Sequence, residues 1–342
     1  MLRFSRLAKV HTQFFEKAFF SAAKKADCKI VCISGLQPTF DVFMSPPFLR
    51  RYFLIIAKHI SKGLQILKSS DVDIKIVTEY NTSFLLIVFL FSCFRSKNVY
   101  FLVHHNFQQS IRNRISWLFH FLALKIDYKF ILFETHSVLE KLNFDHLQSK
   151  FVLVDQPVPS PNSIRMKDCS GVPIVGIVGT YRSEKRYEII LSRLLEIKNT
   201  SKYDFKLLLG TNEFSAFNNK QFESVRKINT VNEKDYFLAL SMCDILVVYH
   251  EKERYFYRTS GVIADAIGSG TFIICPDYPL FRRQITYPKK VGEIFKTLDE
   301  LSIILEKVIT KGKYLCSGDF ELHRTIRSVK RLTEVLNISF CR

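Results

Sequence analysis

Several common functional signatures are missing from this 342-residue sequence, and each absence excludes a class of protein. Eight cysteines are scattered without a CxxC pair, so we expect neither a disulfide framework nor a zinc site, and the compartment should be reducing. The nine histidines show no HExxH spacing, and GxxxxGK[ST] and GxGxxG loops are missing, which disfavours kinases and dinucleotide-dependent dehydrogenases. We therefore predict a protein without metal or cofactor.

Long hydrophobic runs are also missing. The most apolar stretch, residues 84–94, has 11 residues, whereas roughly 20 are needed to span a bilayer. Charges interrupt the first 27 residues every three or four positions, which does not fit a signal peptide. The expectation is a cytoplasmic protein, at most peripheral at the inner face of the cell membrane.

Acidic residues are scarce relative to basic ones, with 32 Asp and Glu against 50 Lys and Arg. Residues 1–150 hold 21 basic and 10 acidic side chains, a balance of +11, and the remainder carries +7. This favours an anionic partner such as a membrane surface, a phosphorylated acceptor or nucleic acid. Because no nucleic-acid motif accompanies the charge, we expect no nucleic-acid partner.

What the sequence does contain is a regular alternation of apolar strands and helices. Strands are predicted at residues 29–34, 74–78, 99–103, 130–133, 151–154, 173–178, 205–209, 244–249 and 271–275. Helices are predicted at residues 50–69, 83–94, 107–125, 136–143, 184–198, 233–242 and 260–268. Apolar strands that alternate with helices indicate parallel sheets covered on both faces.

The fold class is therefore α/β, with two Rossmann-like lobes and a cleft between them. The predicted organisation is an acceptor-binding lobe at residues 1–158, a proline-containing linker at 159–171 and a second, ligand-binding lobe at 172–315. Residues 316–342 are predicted to form a C-terminal helix that crosses back to the first lobe.

The segment 176–186 (GIVGTYRSEKR) joins a strand to a helix through a tight turn at Gly179. Three cations follow within five residues, among them Arg182 and Lys185. A turn and a helix N-terminus direct backbone N–H groups at one spot, so the segment can cradle a diphosphate. The alternative is an ordinary strand–turn–helix joint whose basic residues are solvated.

The segment 257–275 (YRTSGVIADAIGSGTFIIC) predicts a short helix that begins after Ser260, with Gly261 leaving its start open to a ligand. Two turns of small and apolar residues follow, and a glycine pair precedes a buried strand. Asp265 on this helix is predicted to be either exposed or poised over the ligand.

Residues 265–273 (DAIGSGTFI) resemble the second half of the motif E-x-F-G-x-x-x-x-E-A-x-A-x-G-x-P-V-I of GT-B glycosyltransferases, especially family 4 (glycosyltransferases group 1). Residues 231–249 resemble the family's preceding helix and strand, and similarity covers about residues 172–310. The resemblance implies that Asp265 meets the ribose hydroxyls and that the amides of Ser260, Gly261 and Val262 face the phosphates. Arg182, Lys185 and Gly179 then fall at the donor diphosphate.

One departure concerns the first glutamate of the motif, which is Tyr257 here. The family uses that glutamate to contact the donor sugar, so Tyr257 and Arg258 are candidates for part of the role. Glu251 and Glu253 lie nearby but out of register.

In the first half, His104 and His105 follow a predicted strand, where family members place a residue near the reaction centre. Either could orient the acceptor hydroxyl or act as base, and the alternative is a histidine pair that caps the next helix. Gly35 resembles the glycine of the acceptor-side loop, and Asp41 is a further candidate base. Asp71 and Asp73 form a D-x-D triplet that we interpret as a solvated turn.

The resemblance implies a hexosyltransferase-like enzyme that needs no metal. It would move a sugar from a nucleotide-diphosphate donor to a hydroxyl of a glycan or lipid-linked acceptor, in surface polysaccharide biosynthesis. The first alternative is a catalytically inactive GT-B-like protein that binds glycan or nucleotide, or serves as a scaffold. A second is a nucleic-acid-binding protein that uses the basic first lobe.

Overall fold

The computed structural model describes residues 18–22, 24–25, 28–33, 73–78, 80, 84–86, 98–104, 106–126, 128–159, 171–312, 314 and 317–340. The chain divides into two compact units. We call residues 155–331 the C-terminal unit, and the described residues up to 154 together with 332–340 the N-terminal unit.

The N-terminal unit contains a parallel sheet whose described strands follow the order β1-β2-β3-β4-β5. They are β1 (Ile30–Ile33), β2 (Ile74–Val77), β3 (Val99–Leu102), β4 (Lys129–Phe133) and β5 (Phe151–Val154). The helices bounded within the unit are α1 (Asn106–Arg112), α2 (Arg114–Lys125) and α3 (Ser137–Leu142), and a 3₁₀ segment covers Asp145–Lys150.

The single helix predicted at 107–125 is interrupted at Asn113, whose side chain accepts hydrogen bonds from the backbone N–H groups of Ile115 and Ser116. Asn113 therefore caps the start of α2. Phenylalanine fills the core of this unit, as the ring pair Phe101 and Phe130 shows at a centroid distance of 5.3 Å.

The C-terminal unit contains six parallel strands in the order β11-β10-β9-β6-β7-β8 among its described residues. They are β6 (Ile174–Val178), β7 (Lys206–Thr211), β8 (Arg226–Asn229), β9 (Ile245–Val247), β10 (Phe272–Pro276) and β11 (Gly292–Phe295). The prediction missed β8 and β11. No residue of β8 is fully buried, so it carries no apolar signal in the sequence.

Helices alternate with these strands. They are α4 (Tyr187–Thr200), α5 (Glu233–Met242), α6 (Lys252–Tyr255), α7 (Gly261–Gly268), α8 (Pro279–Thr286), α9 (Leu298–Thr310), α10 (Ser317–Ile326) and α11 (Val329–Phe340). Short 3₁₀ turns cover Ser183–Lys185, Ser215–Phe217 and Lys220–Phe222. The division between the units falls within α11, between Arg331 and Leu332. No helix in the described part of the chain is long and apolar enough to cross a bilayer.

Renumbered from β6, the strand order of the C-terminal unit is 3-2-1-4-5-6, the order of the dinucleotide-binding Rossmann fold. The order reverses between β6 and β9, which pair through Val175 with Ile245 and Gly176 with Leu246. Loops that leave the carboxyl ends of two such strands form the usual ligand crevice. The α/β prediction with two parallel sheets is therefore confirmed. The strand order places the expected ligand site at the loops after β6 and β9.

Candidate functional site

The loop after β6 turns at Gly179, whose φ of +139° favours glycine. A Cβ atom at this position would lie 2.8 Å from Tyr187 Oη and 3.2 Å from Lys185 Nζ. The same point is 3.8 Å from Val262 Cγ2, at the start of α7. The fold thus brings the predicted diphosphate loop and the predicted phosphate-facing helix together.

Lys185 packs against this turn and is buried. Among the described residues its ammonium makes no hydrogen bond and no ion pair, and the ring of Tyr187 lies 5.9 Å away. Burial, followed by the positive charges of Arg182 and Arg258, lowers the pKa of Lys185 to about 7. Because an uncompensated buried charge is costly, this arrangement favours an anionic ligand.

Ser260 precedes α7, but its side chain does not cap the helix. Its backbone N–H donates to Gln284 Oε1 at 3.1 Å, and its carbonyl accepts from Gln284 Nε2 at 3.2 Å. The Ser260 amide is therefore already used, which corrects the expectation that it faces a phosphate. The next two amides, of Gly261 and Val262, have no intrahelical acceptor because they belong to the first turn.

Asp265 is buried, so the exposed placement predicted for it is wrong, and its placement over a ligand stays a prediction. Its Oδ2 accepts a hydrogen bond from Tyr236 Oη at 2.8 Å. Burial, Asp265 and Tyr187 together raise the pKa of Tyr236, so this hydroxyl keeps its proton and remains a donor. The Asp265 carboxylate also attracts the Lys185 ammonium, which raises the pKa of Lys185 and partly offsets the effect of burial.

His250 follows β9 and is buried against Tyr255, with ring centroids 4.3 Å apart. Its Nε2 lies 3.4 Å from Ser260 Oγ, and its Nδ1 has no hydrogen-bond partner among the residues that the structure describes. Burial first, and then Lys185 and Arg258, lower the pKa of His250 well below its usual value. The imidazole is therefore neutral, and the local positive charge comes from lysine and arginine.

Tyr257 and Arg258 lie between α6 and α7 and are partly buried. The Arg258 guanidinium stacks 4.9 Å from the ring centroid of Tyr255, and the Tyr257 ring lies 4.8 Å from that of Phe256. Glu251 is engaged in an ion pair with Arg186, 2.9 Å from its Nη2.

Arg182 is half-exposed, with its Nη1 3.9 Å from Glu184. The helix predicted to begin near residue 183 starts instead at Tyr187, after a 3₁₀ turn that ends at the left-handed residue Arg186. This extra turn is what carries Lys185 into the interior.

In the N-terminal unit, His104 Nε2 lies 3.1 Å from the backbone carbonyl of Thr78, at the end of β2. His105, Gly35, Asp41 and Asp71 lie outside the described residues, so their proposed roles stay predictions.

Four residues of the site were missed by sequence reasoning: Tyr187, Tyr236, His250 and Gln284. His250 could have been found, because it directly follows a strand at the point where the sheet order reverses. Tyr187 and Tyr236 carry no such signal, since an aromatic residue on the buried face of a helix usually indicates core packing.

Solved structures share this architecture. The lipopolysaccharide outer core galactosyltransferase WaaB matches 84% of this chain and 80% of its own, at 14% identity and a TM-score of 0.61. Anabaena HepE, solved with UDP and glucose, matches 95% of both chains at 13% identity and a TM-score of 0.62. The fold is that of the GT-B glycosyltransferases. A Rickettsia africae glycosyltransferase agrees, at 13% identity and a TM-score of 0.60 over 95% of this chain and 93% of its own.

At these identities the likeness establishes the GT-B fold alone. No protein-family model matches the sequence, and no curated protein matches it. Membership of family 4 therefore stays a prediction. Within the described residues, no group of three or more His, Cys, Asp or Glu side chains is arranged to hold a metal ion, and independence of metal also stays a prediction.

Proposed function

We propose that this GT-B protein is a glycosyltransferase that moves a sugar from a nucleotide-diphosphate donor to a hydroxyl of a glycan or lipid-linked acceptor. One observation carries the proposal. Lys185 is buried, its ammonium makes no hydrogen bond or ion pair among the described residues, and it packs against Gly179 where the sheet order reverses, beside the first turn of α7. A cation at such a glycine turn suits the diphosphate of a donor.

Six described residues of the site have a role in this proposal. Lys185 and Arg182 neutralise the negative charge that builds on the leaving diphosphate as the bond between the sugar and the diphosphate breaks. The amides of Gly261 and Val262 donate to phosphate oxygens, and the α7 dipole adds to the field. Asp265, held by Tyr236, accepts from the ribose hydroxyls. Cations and a helix N-terminus would then do the work that a metal ion does in other transferases.

UDP is the first nucleotide to test, because HepE was solved with UDP and glucose and also with UDP-glucose. Calorimetric titration of UDP into wild type, Lys185→Ala and Arg182→Ala tests the site. We expect Lys185→Ala to weaken binding by roughly 100-fold, since it removes a buried charge-assisted contact, and the half-exposed Arg182 to matter less. Lys198→Ala is the matched control, because Lys198 makes only a 3.8 Å surface ion pair with Asp204.

Turnover is then measured across a panel of UDP-, GDP- and CMP-sugars. Wild-type affinity in both Lys185→Ala and Arg182→Ala would overturn the site. A protein that binds nucleotide through Lys185 but turns over no donor would favour the inactive binding or scaffold protein. The specific observations behind that alternative are Tyr257 in place of the motif glutamate and the engagement of Glu251 with Arg186.

For the acceptor side, we propose that α2 docks on an anionic membrane surface. Ile115 and Leu118 are 62% and 44% exposed on this helix, which contains no acidic residue. Arg112, Arg114 and Lys125 are exposed around them. Apolar side chains framed by cations match an anionic bilayer, which would place the protein at the inner face of the membrane that carries a lipid-linked acceptor.

Sedimentation with vesicles tests this docking. Wild type should bind phosphatidylglycerol vesicles and not phosphatidylcholine vesicles, and the variant Ile115→Ser/Leu118→Ser should lose most of that binding. Ile303→Ser/Leu238→Ser is the control, because these side chains are 68% and 49% exposed but belong to the C-terminal unit. Equal loss in both double variants would refute a role specific to α2.

A further inference from the structure

The hydroxyl of Tyr187 is a buried polar group that the proposed function has not used. Tyr187 is 2% exposed, and its Oη has no hydrogen-bond partner in the part of the chain that the structure describes. The ring is held in place by an edge-to-face contact with Tyr181, at a centroid distance of 6.1 Å. Burial, the largest cause, raises the pKa of Tyr187, so the hydroxyl stays protonated and can act only as a neutral donor or acceptor.

A buried hydroxyl without a partner destabilises a protein, because it has lost its hydrogen bonds to water and gained none. Phenylalanine would fill the same volume without that loss. The hydroxyl oxygen therefore indicates a role beyond packing, and its position next to Lys185 and Gly179 indicates which role. Tyr187 Oη and Lys185 Nζ lie 2.8 Å and 3.2 Å from one point, the position that a Cβ atom on Gly179 would occupy.

We propose that Tyr187 is a further donor-binding residue, whose hydroxyl donates a hydrogen bond to the phosphate that Lys185 neutralises. This inference rests on the proposed function, since it requires a phosphate next to Gly179. A phosphoryl group offers several oxygens about 2.5 Å apart, so it can accept from the hydroxyl and the ammonium together. Both side chains pack against Gly179, where a Cβ atom would lie too close to them, and the ligand supplies the partner that Tyr187 lacks.

The substitution Tyr187→Phe separates binding from packing. It removes one oxygen and keeps the ring against Tyr181. If the hydroxyl serves only the ligand, the unliganded variant should melt at the same temperature as wild type or higher, since an unsatisfied group is gone. Its affinity for UDP should fall by roughly 5- to 20-fold, the range of one lost hydrogen bond to a charged group.

UDP and uridine are titrated into wild type, Tyr187→Phe, Lys185→Ala and the control Tyr203→Phe, with melting curves of each free protein. Tyr203 precedes β7, at the end of the sheet opposite to the loops of the site. The expected result is weaker UDP binding in Tyr187→Phe, with unchanged affinity for uridine, which carries no phosphate.

Wild-type UDP affinity in Tyr187→Phe, alongside a loss in Lys185→Ala, would overturn the inference and leave the proposed function standing. A lower melting temperature in Tyr187→Phe together with equal losses for UDP and uridine would also overturn it, because both indicate a structural role. If wild type binds no UDP and no other nucleoside diphosphate, the proposed function itself fails.

Discussion

Two buried polar clusters, one in each unit, differ in whether their polar atoms have hydrogen-bond partners. In the N-terminal unit, His120 lies 3.1 Å from Tyr80 Oη, 2.9 Å from Ser110 Oγ and 2.8 Å from the carbonyl of Ser116. In the C-terminal unit, Tyr187 Oη and His250 Nδ1 are buried and have no hydrogen-bond partner among the described residues, and the ammonium of Lys185 makes no hydrogen bond or ion pair with them.

The difference shows that burial and titration alone do not separate structure from function. Both histidines are buried, and burial lowers the pKa of each, to about 4 for His120 and well below its usual value for His250. What differs is whether the surrounding polar atoms are paired. A paired network stabilises one packing, whereas buried polar atoms left unpaired require a reason such as a ligand.

The largest effect on the unpaired cluster should come from Gly179→Ala. A methyl group there would lie 2.8 Å from Tyr187 Oη and 3.2 Å from Lys185 Nζ, and the φ of +139° would be strained for alanine. We expect UDP affinity, measured by calorimetry, to fall by roughly 100-fold or more, because the methyl group would displace the two side chains that the phosphate needs.

Gly171→Ala is the control for this prediction, since a Cβ atom at Gly171 meets nothing within 4 Å. An unchanged affinity in Gly179→Ala, with the fold intact, would show that the unpaired atoms do not surround the ligand.

The paired cluster should respond in stability and not in binding. His120→Phe keeps an aromatic ring against Phe107 but removes the partner of Tyr80 Oη, whereas Ser110 Oγ keeps its 2.8 Å bond with Ser116 Oγ. Leaving the Tyr80 hydroxyl unpaired should lower the free energy of unfolding by about 1–3 kcal/mol, measured by urea denaturation. UDP affinity below the melting range should stay within about twofold of wild type.

The same substitution at His250, in the other cluster, completes that test. His250→Phe removes an imidazole whose Nδ1 is already unpaired, so its cost in free energy of unfolding should be smaller than that of His120→Phe. Equal destabilisation by the two variants would mean that the contrast between paired and unpaired clusters has no energetic basis.

A smaller effect is expected from pH. Because the pKa of Lys185 is about 7, roughly nine-tenths of its side chains are neutral at pH 8, and a bound diphosphate should restore the proton. UDP affinity should then fall by up to about tenfold per pH unit above 7. In the free protein, the unfolded chain protonates Lys185 at a higher pH than the folded protein does, because the folded pKa is lowered. The contribution of Lys185 to the free energy of unfolding should therefore decrease as the pH falls from about 10 to 7.

Calorimetry at pH 8, in two buffers that differ in ionisation enthalpy, measures the protons taken up. Wild type should take up close to one, and Lys185→Met close to none. The same uptake in both proteins would assign the proton to another group.

The sequence alone was enough to predict most strands of the two sheets and the two segments that meet at the candidate site, because buried parallel strands and a glycine turn leave local patterns. It did not predict β8, which lacks buried residues, or β11. It placed Ser260 at the start of α7 but could not show that Gln284, 24 residues later, takes its amide. Pairing between distant residues is decided by tertiary packing, so sequence reasoning does not distinguish a paired polar group from an unpaired one.

Tyr236 provides the finest test of the comparison, because it belongs to the same cluster as Tyr187 but its hydroxyl is paired. Tyr236→Phe takes a 2.8 Å hydrogen bond from the buried Asp265 carboxylate. The free energy of unfolding should fall by about 1–3 kcal/mol, whereas Tyr187→Phe should leave it unchanged or raise it. UDP affinity should fall only about three- to fivefold, because Tyr236 acts by positioning Asp265 and not by contact with the ligand.

The opposite signs are the informative part of this prediction, since both variants remove one phenolic oxygen from neighbouring buried sites. Melting curves and UDP titrations on the two proteins side by side are sufficient. Should both variants lose stability to the same extent, the Tyr187 hydroxyl has a partner within the fold. The cluster around Lys185 would then be a packed polar core like that around His120. Lys185 alone would remain to indicate a phosphate beside Gly179.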